Sequence, residues 1–232
     1  VVEPPPAPSG PDFSDIDASF QAFIDGTADF DGISYVLVDA DGIIHQEVFG
    51  DHTEDTIVLL ASTSKVPAVM TLMALQEDAN VEFSISEPVS TYLPYDGPYA
   101  DRTVEQMVSN TSGIPGLRLL PAYGSPTGPT MEDFNHLCQF SARPIFEFEA
   151  CGQTLVQNEL PTSQAAGSVY DYGGSQWQIA GVTASTVANA TWNQLVDQYL
   201  GTPCGLEVFT FGNPWESPTS FTGFVDSLAG TT

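Results

Sequence analysis

Basic residues are scarce in this chain of 232 residues. Four Lys and Arg residues face thirty Asp and Glu residues, and the formal net charge is −26 at pH 7. Nucleic-acid binding needs a basic stripe that displaces counterions from phosphates, and the sequence has none. An anionic membrane surface is disfavoured for the same reason. We therefore expect neither a nucleic acid nor an anionic membrane as a partner.

Long apolar runs are also missing. No stretch of 18 or more apolar residues occurs in the sequence, so we expect no membrane-spanning helix. Hydrophobic residues still make up 42% of the chain and aromatic residues 11%, which is enough for a sizeable buried core. Residues 1–12 are rich in proline. We interpret them as an extended leader, a spacer suited to holding a domain away from a membrane anchor or a cell wall.

Cysteine and histidine are too few to suggest a metal centre. The chain has three of each, at Cys138, Cys151, Cys204, His45, His52 and His136. Their spacings match no zinc pattern, so we predict neither a metal nor another cofactor. The histidines lack the Asp and Ser context of a catalytic triad and are expected on the surface or in loops. A disulfide between Cys138 and Cys151 is favoured over free thiols, which leaves Cys204 without a partner in this chain.

Local sequence patterns predict a short set of helices and strands. Apolar residues at helical spacing predict a helix over 12–25, and two apolar runs around Asp41-Gly42 predict a β-hairpin over 33–49. Residues 62–77 form a predicted helix that is apolar on nearly every side, which is typical of a buried helix. Two further helices are predicted over 174–187 and 191–200, and residues 116–166 are expected to be irregular.

The only lysine of the chain, Lys65, lies three residues after Ser62. Positions i and i+3 of a helix share a face, so the amine and the hydroxyl can meet. An amine at that distance can take the serine proton and create a nucleophile. The alternative is a solvated surface lysine. The chain has no Gly-x-Ser-x-Gly segment, so the nucleophile elbow of α/β-hydrolases is not encoded.

Four ordered blocks carry a family resemblance. They are Leu60-Ala61-Ser62-Thr63-Ser64-Lys65 and residues 87–94, 103–115 and 167–181. Together they resemble the serine β-lactamase and penicillin-binding-protein superfamily, and within it the branch of class C β-lactamases, family VIII esterases and D-aminopeptidases. The resemblance implies an α/β fold in which an antiparallel sheet is flanked by helices, with a mostly helical region from about 76 to 190. Residues 13–232 would then be the N-terminal part of such a domain.

The resemblance also implies roles for individual residues. Ser62 is similar to the acylated nucleophile, Lys65 to its proton acceptor and Tyr172 to the tyrosine that passes a proton to the leaving group. Tyr170 is the alternative if the register shifts by two. Gly174 stands where the family usually has an asparagine that orients substrate, which disfavours β-lactams. Arg118 is a candidate contact for an anionic substrate group, although a structural ion pair is the alternative.

A second departure concerns the end of the family pattern. The family places a Lys/His-x-Gly motif on a later sheet strand, but no residue after Tyr172 is Lys, Arg or His. The C-terminal sheet strands are missing with that motif. We therefore expect this chain to be the N-terminal portion of a longer enzyme that is either cleaved into two chains or truncated.

These observations predict a serine hydrolase that acts through an acyl-enzyme on esters, small amides or peptides. The alternative is a catalytically silent module of the same fold that senses or binds. The disulfide and the leader favour a secreted, periplasmic or cell-envelope-associated protein.

Overall fold

The chain divides into two compact units, Val1–Leu60 and Ala61–Thr232. A computed structural model describes residues 11–58, 60–116, 136, 138, 148–206, 209 and 211. Most of the proline-rich leader and most of the expected irregular segment over 116–166 lie outside the described residues. Among the described residues, no helix combines the length and the apolar character that crossing a bilayer requires.

The first unit consists of one helix and a β-hairpin. Helix α1 spans Ser14–Asp25, and strands β1 (Gly32–Asp39) and β2 (Gly42–Gly50) pair antiparallel. The predicted turn was one residue too late, because Gly42 already pairs with Asp39. The carboxylate of Asp39 accepts the backbone N–H groups of Asp41 (2.8 Å) and Gly42 (3.2 Å), and such a side-chain turn fixes where the strand ends.

Aromatic rings join α1 to the hairpin. The Phe20 ring on α1 lies 4.8 Å from the Tyr35 ring on β1 and 6.0 Å from the Phe49 ring on β2, measured between centroids. These separations fall within the range of favourable aromatic pairs. Phe49 is the one buried hydrophobic residue of this unit among those described, so ring contacts supply much of its packing.

The second unit is helical in its described part. Its longer helices are α2 (Lys65–Glu77), α4 (Phe148–Gln157) and α5 (Gly174–Ala188). Shorter elements are the 3₁₀ turns Ala61–Ser64 and Val89–Thr91, the helices α3 (Val104–Val108), α6 (Trp192–Val196) and α7 (Thr202–Cys204), and a π-helical turn at Asp197–Gly201. The helix predicted over 191–200 is therefore a shorter α-helix followed by a π-helical turn.

Among the described residues, helix α2 is buried on one side and exposed on the other, which differs from the predicted burial on nearly every side. Leu72 and Leu75 are buried against the π-helical turn and α6. Val66 is 62% exposed and Met70 51% exposed, and Met73 on the same face is also exposed. Composition reveals that a helix face is apolar, but not whether the chain supplies a neighbour to cover it.

The core of the second unit includes residues of α2, α3 and α6, and within it α5 packs against both α3 and α4. Cys151 of α4 forms a disulfide with Cys138, which ties residue 138 to α4. Gly152 allows α4 and α5 to approach closely. A Cβ atom at Gly152 would lie 2.8 Å from both γ-methyl groups of Val182 on α5, and Val182 is fully buried.

This contact predicts that Gly152→Ala destabilises the protein. Replacing a helical Gly by Ala usually stabilises by about 1 kcal/mol, but overpacking a rigid core costs about 1–3 kcal/mol. Because a buried valine has little rotamer freedom, we expect overpacking to win, with a net loss measured by urea unfolding. In a double-mutant cycle, Val182→Ala should relieve part of that loss. An unchanged or raised unfolding midpoint in the single variant would contradict the contact.

Candidate active site

Ser62 lies in the 3₁₀ turn Ala61–Ser64, immediately before α2. The preceding residue, Ala61, has φ +45°, a left-handed conformation that is uncommon and strained for alanine. The Ser64 hydroxyl donates to the Ala61 carbonyl at 2.6 Å and closes the turn. In a 3₁₀ turn, residues i and i+3 eclipse each other. The turn therefore keeps Ser62 and Lys65 on one side, although the α-helix begins three residues later than predicted.

The hydroxyl of Ser62 contacts a residue far away in the sequence. Ser62 Oγ and Tyr172 Oη are 2.6 Å apart, across a separation of 110 residues. The Tyr172 side chain is 47% exposed, so the pair is open to a substrate. Tyr170, the alternative tyrosine, is 69% exposed, and the oxygen beside Ser62 belongs to Tyr172.

The amine of Lys65 lies over two aromatic rings. Lys65 Nζ is 4.8 Å from the centroid of the Tyr172 ring and 5.4 Å from that of the Trp177 ring. Hydrogen bonding from Lys65, followed by that from Ser62, lowers the pKa of the Tyr172 phenol below its usual value of 10.0. A neighbouring cation stabilises the phenolate in this way. Tyr172 thus contacts both Ser62 and Lys65, whereas the sequence analysis placed Lys65 directly against Ser62.

A buried polar network holds Tyr172 in place. Asn110 is 8% exposed and has φ +58°, and its carbonyl accepts the backbone N–H of Asp171 at 2.9 Å. Gln176 donates to the Asp171 carbonyl at 2.8 Å and to Asn110 Oδ1 at 3.1 Å. Asp171 is therefore fixed through both its N–H and its carbonyl, and it precedes Tyr172 directly.

Two glycines let the backbone segments around Tyr172 come close together. A Cβ atom at Gly116 would lie 2.6 Å from the Tyr172 carbonyl oxygen, and one at Gly173 would lie 2.9 Å from Gly116 Cα. Any side chain at either position would push the Tyr172 segment away from the 110–116 loop. Main-chain packing therefore helps to fix the tyrosine.

Trp177 belongs to the site but was missed by the sequence analysis. It lies in the first turn of α5, and its indole N–H donates to Asn110 Oδ1 at 3.0 Å. The available signal was the aromatic position in the block over 167–181, five residues after Tyr172. Helical spacing alone does not distinguish a ring at an active site from a ring in the core.

The remaining predicted site residues have different outcomes. Gly174 is the first residue of α5 and is exposed, so it offers no side chain near the tyrosine. Arg118 lies outside the described residues. Cys138 and Cys151 are disulfide-bonded, while Cys204 is a free, exposed cysteine.

One histidine prediction was wrong. His136 is fully buried, where its Nδ1 lies 2.8 Å from Ser175 Oγ and its Nε2 lies 2.6 Å from the Asn158 carbonyl oxygen. Both ring nitrogens have hydrogen-bonding partners, so burial carries no unsatisfied polar group at these atoms. These partners lie 39 and 22 residues away in the sequence, so no local pattern around His136 predicts its burial.

In the described part of the first unit, one cluster has the donor types of a metal site. Ligand-type atoms of Asp17, His45 and Glu47 lie within 4.8 Å of one another. Asp17 Oδ1 already lies 2.9 Å from His45 Nε2 and accepts the Tyr35 hydroxyl at 2.5 Å. The Tyr35 hydrogen bond is the largest cause that lowers the pKa of Asp17. Hydrogen bonding between α1 and the hairpin therefore accounts for the positions of Asp17 and His45 in this cluster.

Comparison with known proteins confirms the family that the sequence blocks predicted. Residues 20–219 match the family model described as Beta-lactamase. Solved structures with the same fold include a protein from Bacteroides dorei DSM 17855 assigned as a beta-lactamase, with 25% identity and a TM-score of 0.63. A D-stereospecific amidohydrolase from Streptomyces sp. has 18% identity and a TM-score of 0.60. EstCE1, a hydrolase with promiscuous acyltransferase activity, has 18% identity and a TM-score of 0.63.

The alignments cover most of this chain but a smaller share of each matched chain. Each of the three alignments covers 84% of this chain but only 52%, 55% and 52%, respectively, of the matched chain. The chain therefore spans about half the length of the solved structures it resembles. No curated protein matches the sequence.

The geometry of the site predicts a measurable shift in one phenol. Lys65→Met should raise the pKa of Tyr172, because it removes the cation that stabilises the phenolate. Ultraviolet difference absorbance of phenolate against pH measures this. Tyr172→Phe should remove the early-titrating phenol, and Tyr170→Phe is the matched control that should leave it in place. If the Lys65→Met titration overlays that of the unmodified chain, the lysine does not act on this tyrosine.

Proposed function

The chain belongs to the Beta-lactamase family, and we propose that it is a serine hydrolase that forms an acyl-enzyme on Ser62. The observation that carries the proposal is the 2.6 Å contact between Ser62 Oγ and Tyr172 Oη, with Lys65 beside the phenol. A serine becomes a nucleophile when a positioned base accepts its proton. The lowered pKa of Tyr172 suits a phenolate to that task.

The proposed reaction proceeds in two halves. Tyr172 in its phenolate form, which the Lys65 amine stabilises, accepts the Ser62 proton while Ser62 Oγ bonds to the substrate carbonyl carbon. The tetrahedral intermediate collapses, the bond to the leaving alcohol or amine breaks, and Tyr172 returns the proton to that leaving group. Water then attacks the acyl-serine with the same phenolate as base, and Ser62 recovers its proton as the acid product leaves.

The backbone N–H of Ser62 is the proposed donor to the developing oxyanion. It lies in the 3₁₀ turn that leads into α2, and preorganised N–H donors at such positions stabilise the transition state for acyl transfer. The second donor of an oxyanion hole comes, in this proposal, from outside the described residues.

The proposed substrates are esters and small amides or peptides, including D-amino-acid types. Gly174 supplies no side-chain amide at the position where the family usually has asparagine, which favours less demanding esters over β-lactams. The similar structures bear names of both kinds, a D-stereospecific amidohydrolase and the hydrolase EstCE1. The disulfide favours an extracytoplasmic compartment.

A second candidate is a catalytically silent module that binds ligands through the same cleft. In the stretch of sequence given, no Lys, Arg or His follows Tyr172, and a site that lacked the family's later Lys/His-x-Gly motif would bind a ligand without turning it over. Covalent labelling separates the two candidates, because a binding module has no activated serine.

A fluorophosphonate probe tests the proposal directly. We expect a mass adduct on the peptide that contains Ser62, because the activated Oγ attacks phosphorus and displaces fluoride. Ser62→Ala should abolish the adduct, and Thr63→Ala, in the same turn, is the matched control that should retain it. Labelling should weaken at least tenfold in Tyr172→Phe, in the range expected for loss of a general base. If the intact protein gives no adduct, the binding module is the better reading.

We also propose that the rest of the fold reaches this chain as a further segment or a second polypeptide. The chain covers about half of each similar structure, and Val66, Met70 and Met73 leave an apolar face of α2 exposed. Intact-mass analysis of the native preparation should show either a longer polypeptide or a co-purifying second one. A single 232-residue species with full esterase activity would contradict this proposal.

A further inference from the structure

We propose that Trp177 is a positioning residue whose indole ring, anchored by Asn110, holds the Lys65 amine beside the Tyr172 hydroxyl. This inference rests on the proposed hydrolase function and deepens it.

The Lys65 amine lies over the faces of two aromatic rings. Lys65 Nζ lies 5.4 Å from the Trp177 centroid and 4.8 Å from the Tyr172 centroid, and both distances are within the range of cation–π attraction. Lysine is a flexible point charge on a stem of four carbons. Two ring faces restrict where that charge can lie more tightly than one face would.

The Trp177 ring is itself held by the protein. Its indole N–H donates to Asn110 Oδ1 at 3.0 Å, and Trp177 is partly buried. Asn110 is 8% exposed, and its φ of +58° is one that asparagine tolerates better than most residues. A ring fixed at its N–H edge presents its face to the lysine in one orientation.

Asn110 also sets the position of the other ring. Its carbonyl accepts the backbone N–H of Asp171 at 2.9 Å, and Asp171 precedes Tyr172. One buried residue thus places both aromatic faces between which Lys65 lies. A displacement of Asn110 would alter the two Lys65 contacts together, which is the behaviour expected of a support for the site.

The amine that the rings attract is also the one that acts on the phenol. Ring faces attract cations, and hydrogen bonding from Lys65 is the largest cause of the lowered pKa of Tyr172. Asp171 is the acidic residue next to Tyr172 in the sequence, and its Oδ1 accepts the backbone N–H of Gly116 at 3.3 Å. In this proposal Trp177 acts on Ser62 through Lys65 and Tyr172.

The test compares Trp177→Leu with Trp177→Phe in the full chain. Leucine removes the ring, so Lys65 should act less on the phenol and the apparent pKa of Tyr172 should rise by about one unit. Phenylalanine keeps a ring without the N–H anchor and should give a smaller rise. Trp192→Phe, at the only tryptophan of α6, is the matched control and should leave the titration unchanged. Phenolate absorbance, referenced to Tyr172→Phe, provides the readout.

Kinetics on a chromogenic ester give a second readout in the intact protein. Trp177→Leu should lower kcat by about tenfold with little change in KM, because the substrate does not contact the ring. The acidic limb of the pH profile should move to higher pH by the same shift as the phenol. Asn110→Gly, which keeps the left-handed backbone accessible but removes the indole acceptor, should shift the limb in the same direction.

Three results would overturn the proposal. One is a Tyr172 titration in Trp177→Leu that matches the unmodified chain. Another is an equal fall in Tm and activity in the Phe and Leu variants without a shift of the acidic limb, which would assign Trp177 to packing alone. The third is a control Trp192→Phe that shifts the titration as strongly as Trp177→Leu. Failure of Ser62 to label in the unmodified protein would instead refute the hydrolase function, while the absorbance titration would still decide the role of Trp177.

Discussion

The contact between Ser62 and Tyr172 is the constraint on which the site depends. It joins two segments separated by 110 residues, and neither segment can hold it alone. On one side, a strained alanine and a 3₁₀ turn present the serine. On the other side, Asn110 and Gln176 fix the residue before the tyrosine through its backbone groups. The short distance between Ser62 Oγ and Tyr172 Oη therefore depends on buried hydrogen bonds that lie outside this pair of hydroxyl groups.

The single lysine lies against a residue that its spacing from Ser62 does not indicate. A Ser-x-x-Lys pattern favours direct transfer of the serine proton to an amine. In the structure the oxygen beside Ser62 is that of Tyr172, and Lys65 lies against the phenol. Hydrogen bonding from the Lys65 amine lowers the pKa of the Tyr172 phenol, so the structure links the lysine to Ser62 through this tyrosine.

The family, Ser62 and Tyr172 could be predicted from the sequence, but the residues that hold Tyr172 and Lys65 in place could not. Scarcity of cations drew attention to Lys65, its spacing indicated Ser62, and four ordered blocks supplied Tyr172. Asn110 and Trp177 were invisible as site residues because their roles come from long-range hydrogen bonds that no local pattern encodes. Burial of His136 was missed for the same reason. The 3₁₀ turn before α2 depends on one positive φ at Ala61, which residue propensity argues against rather than for.

The two faces of α2 differ in burial. A helix that is apolar on nearly every side is typically buried by neighbouring elements on every side. The described residues supply neighbours for Leu72 and Leu75, while Val66, Met70 and Met73 remain exposed on the opposite face. Spacings of four and three residues align these three side chains in one stripe. Since α2 begins at Lys65, whatever covers this stripe would also determine how firmly the first turn of the helix, and with it the lysine, is held. The exposed stripe and the lysine of the candidate site therefore belong to the same helix.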